Sequence, residues 1–317
     1  MVRKVGLVAL EIGPAQAFQH MLTFWNGRGI ETTVFTSPDA SRVLAGRILD
    51  IGDTAAGIDL TAFDVVAMSA SGYPLEADIR RRCRAAGIPV FQFIDQWYNY
   101  GFRFPASMTP RWPDRIGVID QTSCEEAAIE GLPRDRLLAV GSPVWEEEQL
   151  LPVAPAQHIA FLGQPVVRDY GRSLGYDEWD VWAVVEQAMR QRPDLIRNIL
   201  YCPHPSFSDA TAERIAPATF AESTEQALRR CGTVISMFSS PMISAYLRGR
   251  RVVSVQPNLQ GMDRGMLSRR GYIPHVKDVA GLIEVLATKG PAPQSLALEL
   301  RNSTRRLSEA ILSTPRP

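Results

Sequence analysis

The sequence predicts an α/β protein made of two doubly wound, Rossmann-like domains that face a cleft. Short apolar, β-prone runs alternate with amphipathic helical patterns along the chain, which is typical of parallel sheets covered by helices. The 317 residues also exceed the size at which a single hydrophobic core usually stops growing. Residues 151–157 contain two prolines and have the composition of a linker. We therefore predict domains over residues 1–152 and 153–317.

The composition argues against several classes of protein. Thirty-four basic and 34 acidic residues balance, so the basic excess typical of a nucleic-acid-binding protein is absent. The apolar run at residues 5–10 is too short for a signal peptide or a transmembrane helix, and we expect a cytoplasmic protein without a membrane-spanning segment. The four cysteines are widely spaced and no acidic pair has ligand spacing, so we expect reduced cysteines and no bound metal.

Six β-type runs and the helices between them make up the first predicted domain. The helix over residues 14–28 places Phe18, Met21 and Trp25 on one face, which suits packing on a sheet. The opening βαβ unit lacks the glycine-rich G-x-G-x-x-G fingerprint, so a classical NAD site is not expected. The predicted strands are 5–10, 32–35, 63–69, 90–94, 116–119 and 137–140.

An aromatic loop, residues 95–104, follows the fourth of these strands. Five aromatics, an acid and an arginine at the carboxyl end of a strand are typical of a loop that faces a ligand. Asp95 is the first candidate for a catalytic base or a ligand of a substrate hydroxyl. Arg103 is a candidate anion contact, and Trp97 and Asn99 are candidate substrate-binding residues. The alternative is that the aromatics form a packing plug between the domains.

The second predicted domain repeats the pattern of alternating strands and helices. The last helix is a candidate to cross back and brace the first domain. The predicted strands are 158–162, 199–202, 234–237 and 252–255, and the predicted helices are 178–191, 223–231, 277–289 and 296–311.

A candidate anion site follows the strand that ends at residue 237. Ser239 and Ser240 precede Pro241, and proline at the first helical position is a strong signal for a helix start. Unpaired amides and the helix dipole favour a phosphate there, and two hydroxyls would add donors. The alternative is that Ser240 only caps the helix. Gln256 follows the next strand and is predicted to face the same cleft as a substrate contact.

A histidine held between two prolines follows the strand predicted at 199–202. His204 lies between Pro203 and Pro205, so its position is restricted. At the carboxyl edge of a sheet, its imidazole can donate to a phosphate or act as a general acid for a leaving phosphate. The alternative is a structural histidine that is hydrogen-bonded within a turn.

The order of short motifs in the second half resembles that of bacterial sialyltransferases and polysialyltransferases of the GT-B fold. The resemblance covers about the last 160 residues. It implies that His204 and Pro205 hold the donor phosphate, that Ser239 and Ser240 bind it as well, and that Gly163 and Gln164 line the nucleotide cleft. CDP-glycerol glycerophosphotransferases and UDP-N-acetylglucosamine 2-epimerases look similar in this half. The motifs are Gly163-Gln164-Pro165, Tyr176-Asp177-Glu178, His204-Pro205 and Ser239-Ser240.

The resemblance implies a nucleotide-sugar glycosyltransferase of polysaccharide biosynthesis, with a CMP-sugar as the favoured donor and a hydroxyl acceptor. The family's acidic motif, two acids followed by glycine, is not found in a suitable place in the first half. Asp95 is the substitute candidate for the acidic base, chosen only for its position after a strand. No cofactor beyond the donor is expected, and a homodimer is left open. The alternatives are a 2-epimerase acting on a UDP-N-acetylhexosamine and a non-catalytic nucleotide-binding protein.

Overall fold

The computed structural model describes residues 3–44, 48–50, 57–148, 150–204, 218–288 and 295–317. The chain divides into two compact units. Unit 1 comprises Met1–Glu147 together with Ala297–Pro317, and unit 2 comprises Glu148–Leu296. From the sequence, the boundary is predicted at residue 152 and the C-terminal segment is a candidate to cross back. In the described ranges, no helix is both long and apolar enough to cross a membrane.

Unit 1 contains a parallel sheet of seven strands within the described residues. The strand order is β3-β2-β1-β4-β5-β6-β7, so β1 lies inside the sheet with β2 on one side and β4 on the other. The strands are β1 Arg3–Ala9, β2 Ile30–Thr36, β3 Ile48–Asp50, β4 Val65–Ser69, β5 Val90–Phe93, β6 Arg115–Val118 and β7 Leu137–Ala139.

Helices cover both faces of this sheet. The helices of unit 1 are α1 Ile12–Trp25, α2 Pro38–Ser41, α3 Pro74–Ala85, α4 Gln121–Ile129, α5 Pro143–Glu146 and the C-terminal α13 Ser303–Leu312, and short 3₁₀ turns occupy Leu60–Ala62, Gly101–Arg103 and Arg134–Arg136. Successive residues of β1 alternate between two cores: Leu7 belongs to the core that contains α1, and Val8 to the core that contains α3. This burial on both faces explains why the strands read as continuous apolar runs.

The C-terminal helix α13 packs in the core of unit 1. Leu307 and Ile311 belong to the same buried cluster as the apolar face of α1. Trp25 Nε1 of α1 donates to Ser308 Oγ at 2.7 Å, and the backbone N–H of Ser142 donates to Ser303 Oγ at 3.0 Å. The single helix predicted over 296–311 is interrupted, because Asn302 takes a left-handed conformation with φ of 57°. A shorter helix, α12 Ser295–Glu299, precedes that break.

Unit 2 contains a second parallel sheet, of six strands within the described residues. Its order is β10-β9-β8-β11-β12-β13, so β8 also lies inside the sheet between β9 and β11. The strands are β8 His158–Leu162, β9 Asn198–Cys202, β10 Thr219–Phe220, β11 Thr233–Ser236, β12 Arg251–Val255 and β13 His275–Val276. The helices are α6 Val166–Tyr170, α7 Glu178–Gln191, α8 Thr224–Arg230, α9 Pro241–Leu247, α10 Met266–Arg269 and α11 Val279–Ala287.

Candidate functional site

Each sheet has one point at which its strand order reverses. In unit 2, the chain leaves β8 for β9 on one side and later returns to β11 on the other, and in unit 1 the same happens around β1 with β2 and β4. Ligands of doubly wound proteins bind outside the carboxyl ends of the strands at such a switch point. We call the two places the β8–β11 crevice and the β1–β4 crevice, and we describe each within its own unit.

The floor of the β8–β11 crevice is a hydrogen-bonded link between two strand ends. Gln164, which follows β8, accepts a hydrogen bond at 3.0 Å on its Oε1 from the backbone N–H of Phe238, which follows β11. Ser236 Oγ donates to the carbonyl oxygen of Leu162 at 2.8 Å, and Ser239 Oγ donates to Ser236 Oγ at 3.2 Å. Gly163 is buried between these groups. The predicted residues Gly163, Gln164 and Ser239 therefore lie at one strand edge.

Helix α9 begins at Pro241 as predicted, but the amides that were predicted to be unpaired at its start are not all free. The N–H groups of Met242 and Ile243 already donate to the carbonyls of Ser239 and Ser240, at 3.0 and 2.9 Å. Pro241 has no N–H to offer. Ser240 is exposed and its side chain makes no capping hydrogen bond, so it does not act as a side-chain cap. At this helix tip the hydroxyl of Ser240, and not these amides, remains as a donor for a ligand, because the hydroxyl of Ser239 already donates to Ser236.

His204 follows β9 at the same edge of the sheet as Gln164. Its side chain is half-buried, and burial lowers the pKa of His204; the positive charge of Arg168 lowers it further, while Asp169 opposes the shift. A neutral imidazole at neutral pH follows from this direction. Pro205, the other half of the predicted His-Pro motif, lies outside the described residues.

Gln256 corrects one prediction, because it is not available to a substrate. The side chain is fully buried. Its Nε2 donates to Ser254 Oγ at 2.8 Å and to Asp263 Oδ1 at 2.7 Å, and its Oε1 accepts from the hydroxyl of Tyr176 at 3.0 Å. Both donors and one acceptor site are thus used inside the protein. Gln256 orients Asp263 instead of contacting a ligand.

Two aromatic side chains near the β8–β11 crevice were missed from the sequence. Tyr170 of α6 packs edge-on against Phe238 with 5.7 Å between ring centroids. The guanidinium of Arg264 lies 4.5 Å from the centroid of the Tyr170 ring, within the range of a cation–π contact. The signal was available, since Phe238 directly follows a strand at its carboxyl end. These rings and Arg264 offer an apolar, cationic surface to a planar anionic ligand.

The β1–β4 crevice holds a buried carboxylate. Asp95, which follows β5, has a side chain that is 10% exposed, and its Oδ1 lies 4.0 Å from Nη1 of Arg103. A Cβ added to Gly13, in the first turn of α1, would lie 2.2 Å from Asp95 Oδ2, so only glycine allows this approach. Burial raises the pKa of Asp95, while Arg103 and a hydrogen bond from Gln96 oppose the rise. Arg103 also donates to the carbonyl of Ala70 at 2.7 Å.

Three buried polar atoms in unit 1 that flank the carboxyl ends of β4 and β5 have no hydrogen-bond partner among the described residues. They are Asp95 Oδ1, Arg103 Nε and Ser71 Oγ. Buried polar groups are nearly always satisfied, and leaving one unpaired costs about 1–3 kcal/mol. One of these atoms is an acceptor, and the other two can donate. Together they fit a ligand that both donates and accepts hydrogen bonds, as a sugar hydroxyl does.

The other predicted residues of the aromatic loop have different positions. Trp97 is only 1% exposed, packs with Trp145 at 6.4 Å between ring centroids, and donates from Nε1 to Asp120. Its predicted role in substrate binding is wrong, because the indole is part of the core that holds the loop. Asn99 is exposed and has a left-handed backbone with φ of 57°. Substrate binding by Asn99 stays a prediction.

A buried polar network supports the loop after β4. Glu76 of α3 is fully buried, and its carboxylate accepts from the N–H groups of Ser71 and Gly72, at 2.9 and 3.1 Å, and from Ser69 Oγ at 3.2 Å. Arg80 Nη1 donates to Gln92 Oε1 at 2.6 Å within the same network. Burial raises the pKa of Glu76 to about 7, although these donors and Arg80 oppose the shift.

The raised pKa of Glu76 predicts a pH-dependent stability. The folded protein binds the proton of the Glu76 carboxyl group more tightly than the unfolded chain does. Protonation of Glu76 therefore contributes fully to the free energy of unfolding below the unfolded pKa of 4.5, and this contribution is lost as the pH rises to about 7. The loss amounts to about 3 kcal/mol. Urea unfolding across this range should show that slope in the wild type and a flatter one in Glu76→Gln. The exposed control Glu125→Gln should keep the wild-type slope; equal slopes in all three proteins would contradict the assignment.

Comparisons with known proteins identify the fold. No protein-family model matches the chain, and no curated protein matches it. Among solved structures, the chain is similar to the glycotransferase of kitacinnamycin, with 12% identity, a TM-score of 0.64 and coverage of 98% of this chain and 97% of that one. It is also similar to UDP-GlcNAc 2-epimerase from Neisseria meningitidis bound to UDP-GlcNAc, with 11% identity, a TM-score of 0.60 and coverage of 98% and 99%.

A third similar structure is MurG of Acinetobacter baumannii, with 14% identity, a TM-score of 0.59 and coverage of 98% and 99%. These likenesses extend over nearly the whole of each chain. The protein therefore has the GT-B fold of two parallel-sheet α/β domains, which confirms the predicted fold class. The closer resemblance to sialyltransferases depends on the short motifs alone and stays a prediction.

Proposed function

We propose that the protein is a nucleotide-sugar-dependent glycosyltransferase that moves a sugar from a pyrimidine-nucleotide donor to a hydroxyl acceptor. The observation that carries this proposal is the pair of switch-point crevices. One is lined by hydroxyls, and the other contains a buried carboxylate whose Oδ1 has no hydrogen-bond partner among the described residues. The GT-B fold and the similarity to the glycotransferase of kitacinnamycin support it. The proposed enzyme is cytoplasmic and needs neither a metal nor another cofactor.

The proposed donor site is the β8–β11 crevice. Ser240 donates its hydroxyl to the donor phosphate, and Ser239 does the same once it gives up its hydrogen bond to Ser236. The neutral imidazole of His204 donates from its N–H. As the bond between the sugar and the phosphate breaks, negative charge grows on the phosphate oxygen. Fixed donors that meet this charge stabilise the transition state more than the ground state. The short motifs favour CMP as the donor nucleotide, whereas the similar enzyme from Neisseria meningitidis is bound to UDP-GlcNAc.

The proposed acceptor site is the β1–β4 crevice. The acceptor hydroxyl donates to Asp95 Oδ1 and accepts from Arg103 Nε, which satisfies two of the unpaired atoms. Asp95 takes the hydroxyl proton, the oxygen forms a bond to the anomeric carbon, and the nucleotide leaves with the bonding electron pair. The raised pKa of Asp95 suits a general base, since a more basic carboxylate accepts a proton more readily.

A second candidate function is a UDP-N-acetylglucosamine 2-epimerase. The similarity to the Neisseria enzyme, over 98% of this chain, is the observation that favours it. The β1–β4 crevice also contains a second carboxylate, Glu11, which accepts a weak hydrogen bond at 3.5 Å from the hydroxyl of Tyr73. Two carboxylates in one crevice could divide the acid and base roles that an epimerase requires.

A thermal-shift panel of CMP, CDP, UDP and their sugars tests the proposal. Stabilisation by a nucleotide supports a donor site, because a ligand that binds only the folded state raises its stability. Product analysis then separates the two functions: an epimerase changes the sugar of UDP-N-acetylglucosamine without an added acceptor, whereas a transferase releases the nucleotide in step with glycosylation of the acceptor. If no nucleotide stabilises the protein, both enzymatic functions fail.

A further inference from the structure

A second cavity lies at the opposite edge of the unit 2 sheet from the β8–β11 crevice. Its volume is about 310 Å³, at the lower end of the range for small-molecule sites. Arg250 and Arg251 line it where β12 begins, and Tyr272 lines it just before β13. The crevice, in contrast, adjoins the carboxyl ends of the strands. This cavity is therefore separate from the proposed donor site.

Two neighbouring guanidinium groups in this cavity lack an acidic partner. Arg250 is 4% exposed and Arg251 is half-buried, and neither forms an ion pair within the described residues. None of the lining residues is acidic. Burial lowers the pKa of both arginines. Buried charges in proteins are normally paired, so two adjacent unpaired cations indicate that an anion is missing.

Both arginines also have structural hydrogen bonds, but these leave one guanidinium nitrogen of each without a partner among the described residues. Arg250 donates from Nε to the carbonyl of Leu228 and from Nη1 to that of Pro152. Arg251 donates to carbonyls at the end of α11, including that of Leu286. Arg250 Nη2 and Arg251 Nε are buried without a partner in the described part of the chain. The hydrogen bonds to backbone carbonyls therefore do not use all the N–H donors of Arg250 and Arg251.

The remaining walls of the cavity are aromatic and apolar. The rings of Tyr246 and Tyr272 both line it, with 6.0 Å between their centroids. Val252 and Ile273 add aliphatic surface. An inorganic ion would use the guanidinium groups and leave this surface without a partner. A ligand with an anionic group and a planar apolar body would use both.

We propose that this cavity binds a small organic anion, with its carboxylate or phosphoryl group against Arg250 and Arg251 and its body against Tyr246 and Tyr272. The site needs a small adjustment of the two guanidinium groups, because their unpaired nitrogens are covered in the structure. Helix α9 carries Tyr246 near its end and starts just after Ser240, so one helix adjoins both this cavity and the proposed donor site. The binding itself does not depend on the proposed function.

Thr288 offers a test that keeps both arginines. Its side chain is exposed and lines the cavity, so substitution there leaves the structural hydrogen bonds of the arginines in place. Thr288→Glu brings a carboxylate to the cavity, where it pairs with the guanidinium groups and competes with a ligand. Thr288→Gln has the same size without the charge. Benzoate and phenyl phosphate serve as probes, with neutral benzamide and chloride at matched ionic strength as controls.

Calorimetric titration should show that benzoate or phenyl phosphate binds the wild type and Thr288→Gln, and the preferred probe identifies the anionic group. Thr288→Glu should weaken that binding by about tenfold or more, and should unfold at a higher temperature than Thr288→Gln. Crystals soaked in 4-bromobenzoate should show bromine in the cavity, against the rings of Tyr246 and Tyr272. The proposal is overturned if neither probe binds better than the controls, if Thr288→Glu binds as well as Thr288→Gln, or if the bromine lies outside the cavity.

Discussion

Replacing Asp95 with asparagine should reduce turnover about a thousandfold, the range expected when a general base is removed. Asparagine has nearly the same shape but does not accept the acceptor proton. The carboxylate lies 4.0 Å from Arg103 Nη1 and against the first turn of α1. The donor KM should change little, because the donor is proposed to bind in unit 2. Steady-state rates measure both constants, with the donor identified in the thermal-shift panel and an acceptor that product analysis shows to be glycosylated.

A matched control separates this effect from loss of folding. Asp78→Asn makes the same change on the partly exposed side of α3, where Asp78 pairs with Arg81. This variant should retain wild-type turnover, and both variants should unfold within a few degrees of the wild type. In addition, kcat/KM should fall at acid pH with an apparent pKa above the usual pKa of an aspartate, and this fall should disappear in Asp95→Asn. A turnover in Asp95→Asn within about threefold of the wild type would remove Asp95 from the mechanism.

Arg80→Ala should have the largest effect on stability, a loss of about 3–5 kcal/mol. Arg80 is 1% exposed and donates to Gln92 Oε1, to the carbonyl of Pro110 at 3.0 Å and to the sulfur of Met108 at 3.1 Å. The substitution leaves these acceptors unpaired, removes a counter-charge from the buried Glu76 and opens a cavity. Urea denaturation at neutral pH measures the change in free energy of unfolding.

The neighbouring residue provides the control for this prediction. Arg81 is on the same helix, but its side chain is 63% exposed, and its ion-pair partner within the described residues is Asp78. Arg81→Ala should change the free energy of unfolding by about 0.5 kcal/mol or less. Both variants replace an arginine with alanine. The difference between their losses in free energy of unfolding therefore measures the effect of burial and hydrogen bonding at Arg80. Equal losses in both variants would show that the network around Glu76 does not stabilise unit 1.

Much of the secondary structure follows from local sequence signals. The helix predicted over 178–191 is found with the same bounds, because Asp177 and Asp180 form a capping box at its start and its apolar residues have helical spacing. Helix α9 begins at Pro241 for a similarly local reason. The helix predicted over 296–311 is broken by Asn302, whose left-handed backbone has no strong sequence signal in this context.

The chemistry of the site was harder to predict because long-range partners decide it. Gln256 follows a strand, as a ligand contact would, yet Tyr176, 80 residues away, and Asp263 satisfy its amide. Trp97 was placed in a ligand-facing loop, and its pairing with Trp145 and Asp120 buries it. The unpaired atoms of Asp95 and Arg103 depend on the same kind of tertiary neighbours. Sequence pattern identifies which residues reach a strand edge, but not which of them remain available there.

The most direct test of the central claim, that the donor phosphate binds in the β8–β11 crevice, is calorimetric titration of the best nucleotide into Gln164→Glu. A glutamate still accepts from the N–H of Phe238, but it places a negative charge beside the phosphate. Repulsion at close range should weaken binding about a hundredfold. Gln226→Glu, on the side of α8, should bind like the wild type. Unchanged affinity in Gln164→Glu would contradict the claim.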